Sequence, residues 1–273
     1  MGIIKKYESR AEKADSLLCV GLDSDFEKLP GRFKKLPNQQ FEFNKWIIDE
    51  THEYVAAYKP NAAFYEARGD VGLRELKMTM EYLQTEHPDI FTILDAKRAD
   101  IGNTNNGYVT AIFDWLGFDA VTLHPYLGRE ALAPFLDRKD KVSVILCRTS
   151  NEGAGEFQDL KLLPYMEAIS PEPLWKMVAE KVANEWNENG NCMLVVGATY
   201  PEEMKIIRAS TGDMTFLVPG IGAQGGSVSE VLKNGKNSER KGLIISASRS
   251  IIFSNNPRES AKALRDEIQS YQL

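Results

Sequence analysis

The sequence predicts an α/β chain folded as one (β/α)8 TIM barrel, a single domain over residues 1–273. Three observations carry that expectation. Eight short, near-continuous apolar runs recur along the chain, as strands covered on both faces require. Amphipathic stretches with helical spacing fill the gaps between them. No long linker or low-complexity tract breaks the alternation, and 273 residues suit a barrel without strain. The competing architecture is an open doubly wound sheet. It more often has fewer strands and a glycine fingerprint after the first, and "CVGLDSDFEKLPGRF" holds no G-x-G-x-x-G.

The first strand is expected in "SLLCVGLD" (16–23) and the second in "AAYKPNAAF" (56–64), with "FEFNKWIIDETHEYVA" as the helix between them. The helical "VGLRELKMTMEYLQTEH" leads to "IFTILDAK" (90–97). The helix "NNGYVTAIFDWLG", stopped by Gly117, leads to "AVTLHP" (120–125), and "VSVILCRT" (142–149) is the fifth strand. Residues 150–172 form the one long irregular stretch, which after strand five would lie over the carboxyl face, where lids form. "PLWKMVAEKVANEWNEN" precedes "CMLVVGAT" (192–199). "PEEMKIIRAS", with Pro201 in its first turn, precedes "MTFLVPGIG" (214–222). "GLIISASRSI" (242–251) is the eighth strand, and "PRESAKALRDEIQSYQL", begun by Pro257, is the last helix.

Composition narrows the function. Apolar residues at 43% and charged residues at 26% are ordinary for a globular chain. A net charge of −6 and a pI near 5.3 argue against nucleic acid as a partner, because phosphate backbones need a basic face. A small anionic ligand remains compatible, since one local Arg can outweigh the global sign. Cys19, Cys147 and Cys192 each sit in an apolar run, which reads as buried reduced thiols in a reducing compartment. The start, "MGIIKKYESRAEKAD", lacks a signal-peptide core, and Lys6 stands where a myristoylation motif wants Ser or Thr. No apolar stretch approaches the ~20 residues of a membrane span. A soluble, cytoplasmic protein without a membrane partner is expected.

In such a barrel the active site lies at the carboxyl ends of the strands. Asp23 ends strand one, Lys59 and Asn61 lie in strand two, and Asp95 and Lys97 in strand three. His124 ends strand four, Thr149 and Ser150 end strand five, strand seven runs into "PGIGAQGG", and strand eight carries Arg249. Polar turns at strand ends are the plainer reading, but charges on strands one, two, three and eight together exceed what that explains.

In "DAK", positions i and i+2 share a face, so Asp95 and Lys97 point the same way and Ala96 turns toward the helices. Asp100 follows near a helix start, where a carboxylate is favoured, and Lys59 can join from the next strand. The result is an alternating Lys59–Asp95–Lys97–Asp100 chain. A structural ion network at the rim is the rival reading; against it, exposed ion pairs alone contribute little. "PGIGAQGG" (219–226), with four glycines in eight residues, lets backbone N–H groups approach an anion. Gln224 and Arg249 could add side-chain donors to a phosphate; a glycine-rich turn beside a structural Arg is the plainer alternative. His124 is a lesser candidate base, because a strand-end His before Pro is often only hydrogen-bonded. No Cys, His or carboxylate cluster has metal-ligand spacing, and no G-x-S-x-G or Walker loop occurs.

"LDAKRADIGNT" (94–104) resembles the D-x-K-x-x-D-I-x-x-T signature of the orotidine 5′-phosphate decarboxylase family. "CVGLDSD", "YKPNAAFYEA", "LVVGATYPEEMKIIR", "VPGIGAQGG" and "SASRSI" extend the likeness over nearly the whole chain, most closely to the branch with a longer loop after strand five. Ser248 departs from the pattern, since many members place Gly before the phosphate-binding Arg. The resemblance implies decarboxylation of orotidine 5′-monophosphate to UMP and CO2, with no metal or organic cofactor. It makes Lys97 the proton donor to C6 of the pyrimidine, places Asp95 by the departing carboxylate, and completes the charged chain with Lys59. Asp23 and Asn61 would hold the ribose hydroxyls, and Ser150 the pyrimidine edge. Gln224 and Arg249 would hold the 5′-phosphate, with Pro219 nearby. Asp100, Ile101 and Thr104 would reach into a partner's site, which implies a homodimer with shared active sites. Sister sugar-phosphate decarboxylases and aldolases share D-x-K-x-x-D but use Mg²⁺; they lack a Lys at the Lys59 position and follow the second Asp differently. A non-catalytic phosphate-binding barrel would not need a Lys between carboxylates.

Overall fold

The structure is a computed structural model, and it describes residues 3–162, 171–222, 225–239 and 241–271. Eight parallel strands close a barrel: β1 (Leu18–Val20), β2 (Ala57–Tyr58), β3 (Phe91–Arg98), β4 (Ala120–Leu123), β5 (Val142–Arg148), β6 (Cys192–Val196), β7 (Phe216–Pro219) and β8 (Leu243–Ala247). Each strand pairs with its sequence neighbours, and Leu18 opposite Ile245 joins β1 to β8. This is the (β/α)8 architecture expected from the alternation of apolar runs.

The expected strands are all present; β3 keeps its expected length and the others are shorter. "AAYKPNAAF" yields only Ala57–Tyr58, because Asn61 accepts the N–H of Ala63 at 3.1 Å and caps a short helix, Ala62–Glu66. "GLIISASRSI" ends as a strand at Ala247, and Arg249–Ile252 is helical. The helix expected from residue 105 begins at Gly102, and Gly117, at φ +84°, stops it as expected. Pro201 and Pro257 start their helices. The stretch 150–172 is not irregular throughout. It holds short helical turns at Glu152–Ala154 and Gly155–Gln158, and Lys161–Leu162 pairs antiparallel with Glu172–Pro173. Its residues 163–170 lie outside the described residues.

Two apolar layers hold the barrel. The larger lies between strands and outer helices and includes Phe43, Tyr58, Phe118 and Phe216, all fully buried. The smaller fills the barrel interior with Cys19, Phe91, Met193 and Leu217. The helix Ile4–Ala14 closes its amino end, where Tyr7 packs edge-on against Phe91 and donates its hydroxyl to the Leu243 carbonyl. Cys19, Cys147 and Cys192 are free and buried, and burial pushes each thiol up to about 12. Among the described residues, no helix is long and apolar enough to cross a membrane.

Candidate active site

At the carboxyl ends of the strands lies a cavity of about 450 Å³. Asp23, Lys59, Asn61, Asp95, Lys97, Ser150, Pro219 and Arg249 line it. These residues are far apart in sequence and come from β1, β2, β3, β5, β7, β8 and the turns that follow them. The barrel converges them because each immediately follows a buried apolar run.

Asp95 is the centre of the charged group. Its Oδ2 accepts from Lys59 Nζ at 2.9 Å, and its Oδ1 accepts from Lys97 Nζ at 2.6 Å and from the Thr122 hydroxyl at 3.0 Å. Charge-assisted bonds of this length are the strong kind. Lys59 is 5% exposed, and burial disfavours its charge; Asp95 and Asp23 outweigh that and hold its pKa above the ordinary lysine value. Burial likewise opposes charge on Asp95, but Lys59 and Lys97 overcome it and hold the carboxyl well below the usual range. Lys59 and Asp95 are therefore both ionised near neutrality. Both lysines line the cavity, but the Lys97 side chain is half exposed whereas Lys59 is buried.

Regular alternation does not deliver this arrangement. Lys97 has φ +48°, a conformation that non-glycine residues rarely adopt, and the β3–β4 register shifts between Leu94 and Arg98. Asp95 is fixed from the other side by its N–H to the Pro60 carbonyl at 2.9 Å. Asp95 and Lys97 meet as expected, but through a bulge rather than a simple pleat.

Asp23 brings a different signal. Its Oδ1 is buried and finds no hydrogen-bond partner among the described residues. A buried acceptor without a donor is costly, so this oxygen retains the capacity to accept a hydrogen bond within the cavity. Opposite, the loop after β7 runs close to the barrel. A Cβ at Gly226 would stand 2.5 Å from the Ala198 Cβ and 2.7 Å from the Gly220 carbonyl, so only glycine fits. Gln224, expected in this loop, lies outside the described residues. Arg249 stands exposed at the rim. Among the described residues, no group of three or more His, Cys, Asp or Glu could hold a metal ion.

The family whose model matches residues 16–264 is orotidine 5′-phosphate decarboxylase / HUMPS. The chain belongs to this family. It is 45% identical over 267 residues to the orotidine 5′-phosphate decarboxylase of Cellvibrio japonicus, covering 97% of this chain and 94% of that one. It is 47% identical over 261 residues to that of Christiangramia forsetii, covering 94% and 93%. Among solved structures it is similar to the OMP decarboxylase of Leishmania donovani, with a TM-score of 0.86 and 37% identity over 100% of this chain and 99% of that one.

The alternating charged chain expected from the sequence is one link shorter within one chain. Asp100 makes no ion pair with Lys97; its Oδ1 instead accepts the N–H of Ile101 at 2.7 Å. The charged chain thus ends at Lys97. Asp100, Ile101 and Thr104 do not line the cavity, and Ile101 is 63% exposed. The loop Asp100–Ile101 is pinned outward by Asn105, which accepts from the Asp100 N–H at 2.9 Å and donates to the Asp100 carbonyl at 2.6 Å. His124 does not line the cavity either.

Other lining residues escaped sequence reading. Thr122 lies within β4, in an apolar run that gives no hint of a polar role. Gln158 arrives from the segment after β5, accepting from the Thr149 N–H at 3.0 Å and donating to the Thr149 hydroxyl at 2.8 Å. Arg148, 3% exposed at the end of β5, does not line the cavity itself but lies beside Thr149, over the Tyr200 ring at 3.7 Å, and reaches Asp159 at 3.3 Å. A buried Arg ending an apolar strand was the available signal.

Proposed function

We propose that this chain decarboxylates orotidine 5′-monophosphate to UMP and CO2, with Lys97 as the group that meets the developing carbanion and then protonates C6. The observation that carries this reading is the cavity-facing Lys97 amine, 2.6 Å from Asp95, on a rim shared with Asp23, Arg249 and the glycine-rich loop. Losing CO2 from an sp² ring carbon leaves a localised pair of electrons. An ammonium fixed beside that carbon stabilises the transition state more than the ground state. Asp95 fixes the ammonium in place, and Lys59 keeps Asp95 ionised behind it. The orphaned Asp23 oxygen suits a ribose hydroxyl, with Asn61 beside it, and Ser150 suits the pyrimidine edge. Pro219, Gln224 and Arg249 suit the 5′-phosphate. That phosphate is remote from the breaking bond, so its binding energy is available to order the 150–172 segment as a lid and organise the charged group. The test is the spectrophotometric consumption of orotidine 5′-monophosphate. Lys97→Ala should lose more than about 10³-fold in kcat while still binding UMP; a near-normal rate would remove Lys97 from the mechanism.

The outward set of Asp100, Ile101 and Thr104 supports a homodimer in which each copy completes the other's site. Mixing Lys97→Ala with Asp100→Ala should then regenerate activity that neither variant has alone. Two inactive proteins that stay inactive after exchange of subunits would refute the sharing.

A further inference from the structure

The parallel ladder between β3 and β4 breaks at one place. Leu94 pairs with Val121 and Arg98 with Leu123, so Asp95, Ala96 and Lys97 stand opposite the single residue Thr122. On its other side β4 runs in regular register, with Thr122 opposite Val144 of β5. The surplus residues of β3 therefore leave a gap in the ladder on the side that faces β4.

Thr122 fills it with its side chain. Its hydroxyl accepts the backbone N–H of Lys97 at 2.9 Å and donates its own proton to Asp95 Oδ1 at 3.0 Å. One hydroxyl has one proton to give and lone pairs to receive, so a single group serves both contacts at once. Thr122 is 1% exposed, so water is a poor substitute. The two residues it joins are the bulge's first and last. One bears the carboxylate that holds both lysines, and the other is held at φ +48°.

We propose that Thr122 is a positioning residue for the decarboxylation. Its hydroxyl locks the Lys97 backbone to the Asp95 carboxylate, so the Lys97 amine is aimed before substrate arrives. The inference rests on the assignment of Lys97 as the proton donor. It assigns Thr122 no contact with the reacting atoms; the residue acts through Asp95 and Lys97.

The experiment compares the wild type with Thr122→Val, which keeps the shape without the hydroxyl, and Thr122→Ser, which keeps the hydroxyl without the methyl. Steady-state turnover of orotidine 5′-monophosphate, UMP binding by calorimetry and thermal unfolding are measured on each. In Thr122→Val, kcat should fall about 10²-fold, the scale of a misaimed reacting group, while KM and UMP affinity stay within about threefold. Thr122→Ser should recover kcat to within about threefold of the wild type. Should the valine variant fail to fold, Thr122→Ala removes the same hydroxyl and carries the same expectation. Wild-type kcat in the hydroxyl-free variant, an equal loss in Thr122→Ser, or a loss confined to UMP binding would each overturn the proposal. A wild-type chain that consumed no substrate would instead bring down the functional assignment, and this inference with it.

Discussion

Two carboxylates sit at opposite ends of β3 and β4, each held by lysine and threonine. At the amino end, Asp119 Oδ2 accepts from Lys6 Nζ at 2.7 Å, from the Thr92 N–H at 3.0 Å and from the Thr92 hydroxyl at 2.9 Å. At the carboxyl end, Asp95 accepts from Lys59, Lys97 and Thr122. The residue types match, but the balance of charge does not. Asp119 has one lysine, brought by the helix that closes the barrel, and lies where the β3–β4 register is regular. Asp95 has two lysines, one buried and one turned into the cavity beside a break in the ladder. The amino-end pair neutralises itself and serves packing. The carboxyl-end group joins two cations to one carboxylate, with Asp23 also facing Lys59, and leaves the half-exposed Lys97 amine open to whatever enters the cavity.

Substitutions at the two ends should separate these roles. Asp95→Asn carries the largest expected effect on both activity and stability. It leaves Lys59 buried without its partner, which costs about 3–5 kcal/mol, and it frees the Lys97 amine, so kcat should fall more than about 10²-fold. Chemical denaturation with turnover measured on the same samples checks both. The stability loss should also depend on pH in a set direction. Asp95 has a depressed pKa, so its contribution is present above the unfolded value of about 3.9 and is lost as pH falls through the folded one. Lys59 has a raised pKa, so its contribution is present below about 10.4 and is lost as pH rises through the folded one. The difference between wild type and Asp95→Asn should therefore stay level from about pH 5 to 9 and shrink below about pH 4. A difference that grew on acidification would contradict the ion-pair account.

Asp119→Ala should act on stability alone. It strips the Thr92 N–H of its acceptor, at a cost of about 1–3 kcal/mol, with kcat unchanged. A fall in kcat there would erase the contrast between the two ends. Lys6→Met should have the smallest effect, within about 1 kcal/mol, because that lysine is partly exposed.

Most of this arrangement was legible in the sequence because it rests on local pattern. Apolar runs marked all eight strands, and charges closing those runs marked Asp23, Lys59, Asp95 and Lys97. Strand lengths were less legible. Asn61 and Arg249 sit in apolar surroundings that read as strand, yet Asn61 caps the short helix Ala62–Glu66 and Arg249 begins the short helix Arg249–Ile252. The bulge at Lys97 was invisible, because a positive φ in a lysine is imposed by neighbours and not by its own preference. Thr122 was missed for the same reason: a threonine in a strand is ordinary until the opposite strand supplies two residues too many. The outward turn of Asp100 depends on Asn105, whose side chain bonds backward to the loop and donates to the Ala131 carbonyl at 2.5 Å, a link between helices that spacing does not reveal.

The helix Ile4–Ala14 has one further consequence. With Tyr7 only 2% exposed beneath the interior layer, the barrel is stoppered at its floor. The floor offers no exit among the described residues: a molecule released at the Lys97 end leaves by the carboxyl face through which its precursor came in. Emptying the chamber and refilling it through that face are then successive events.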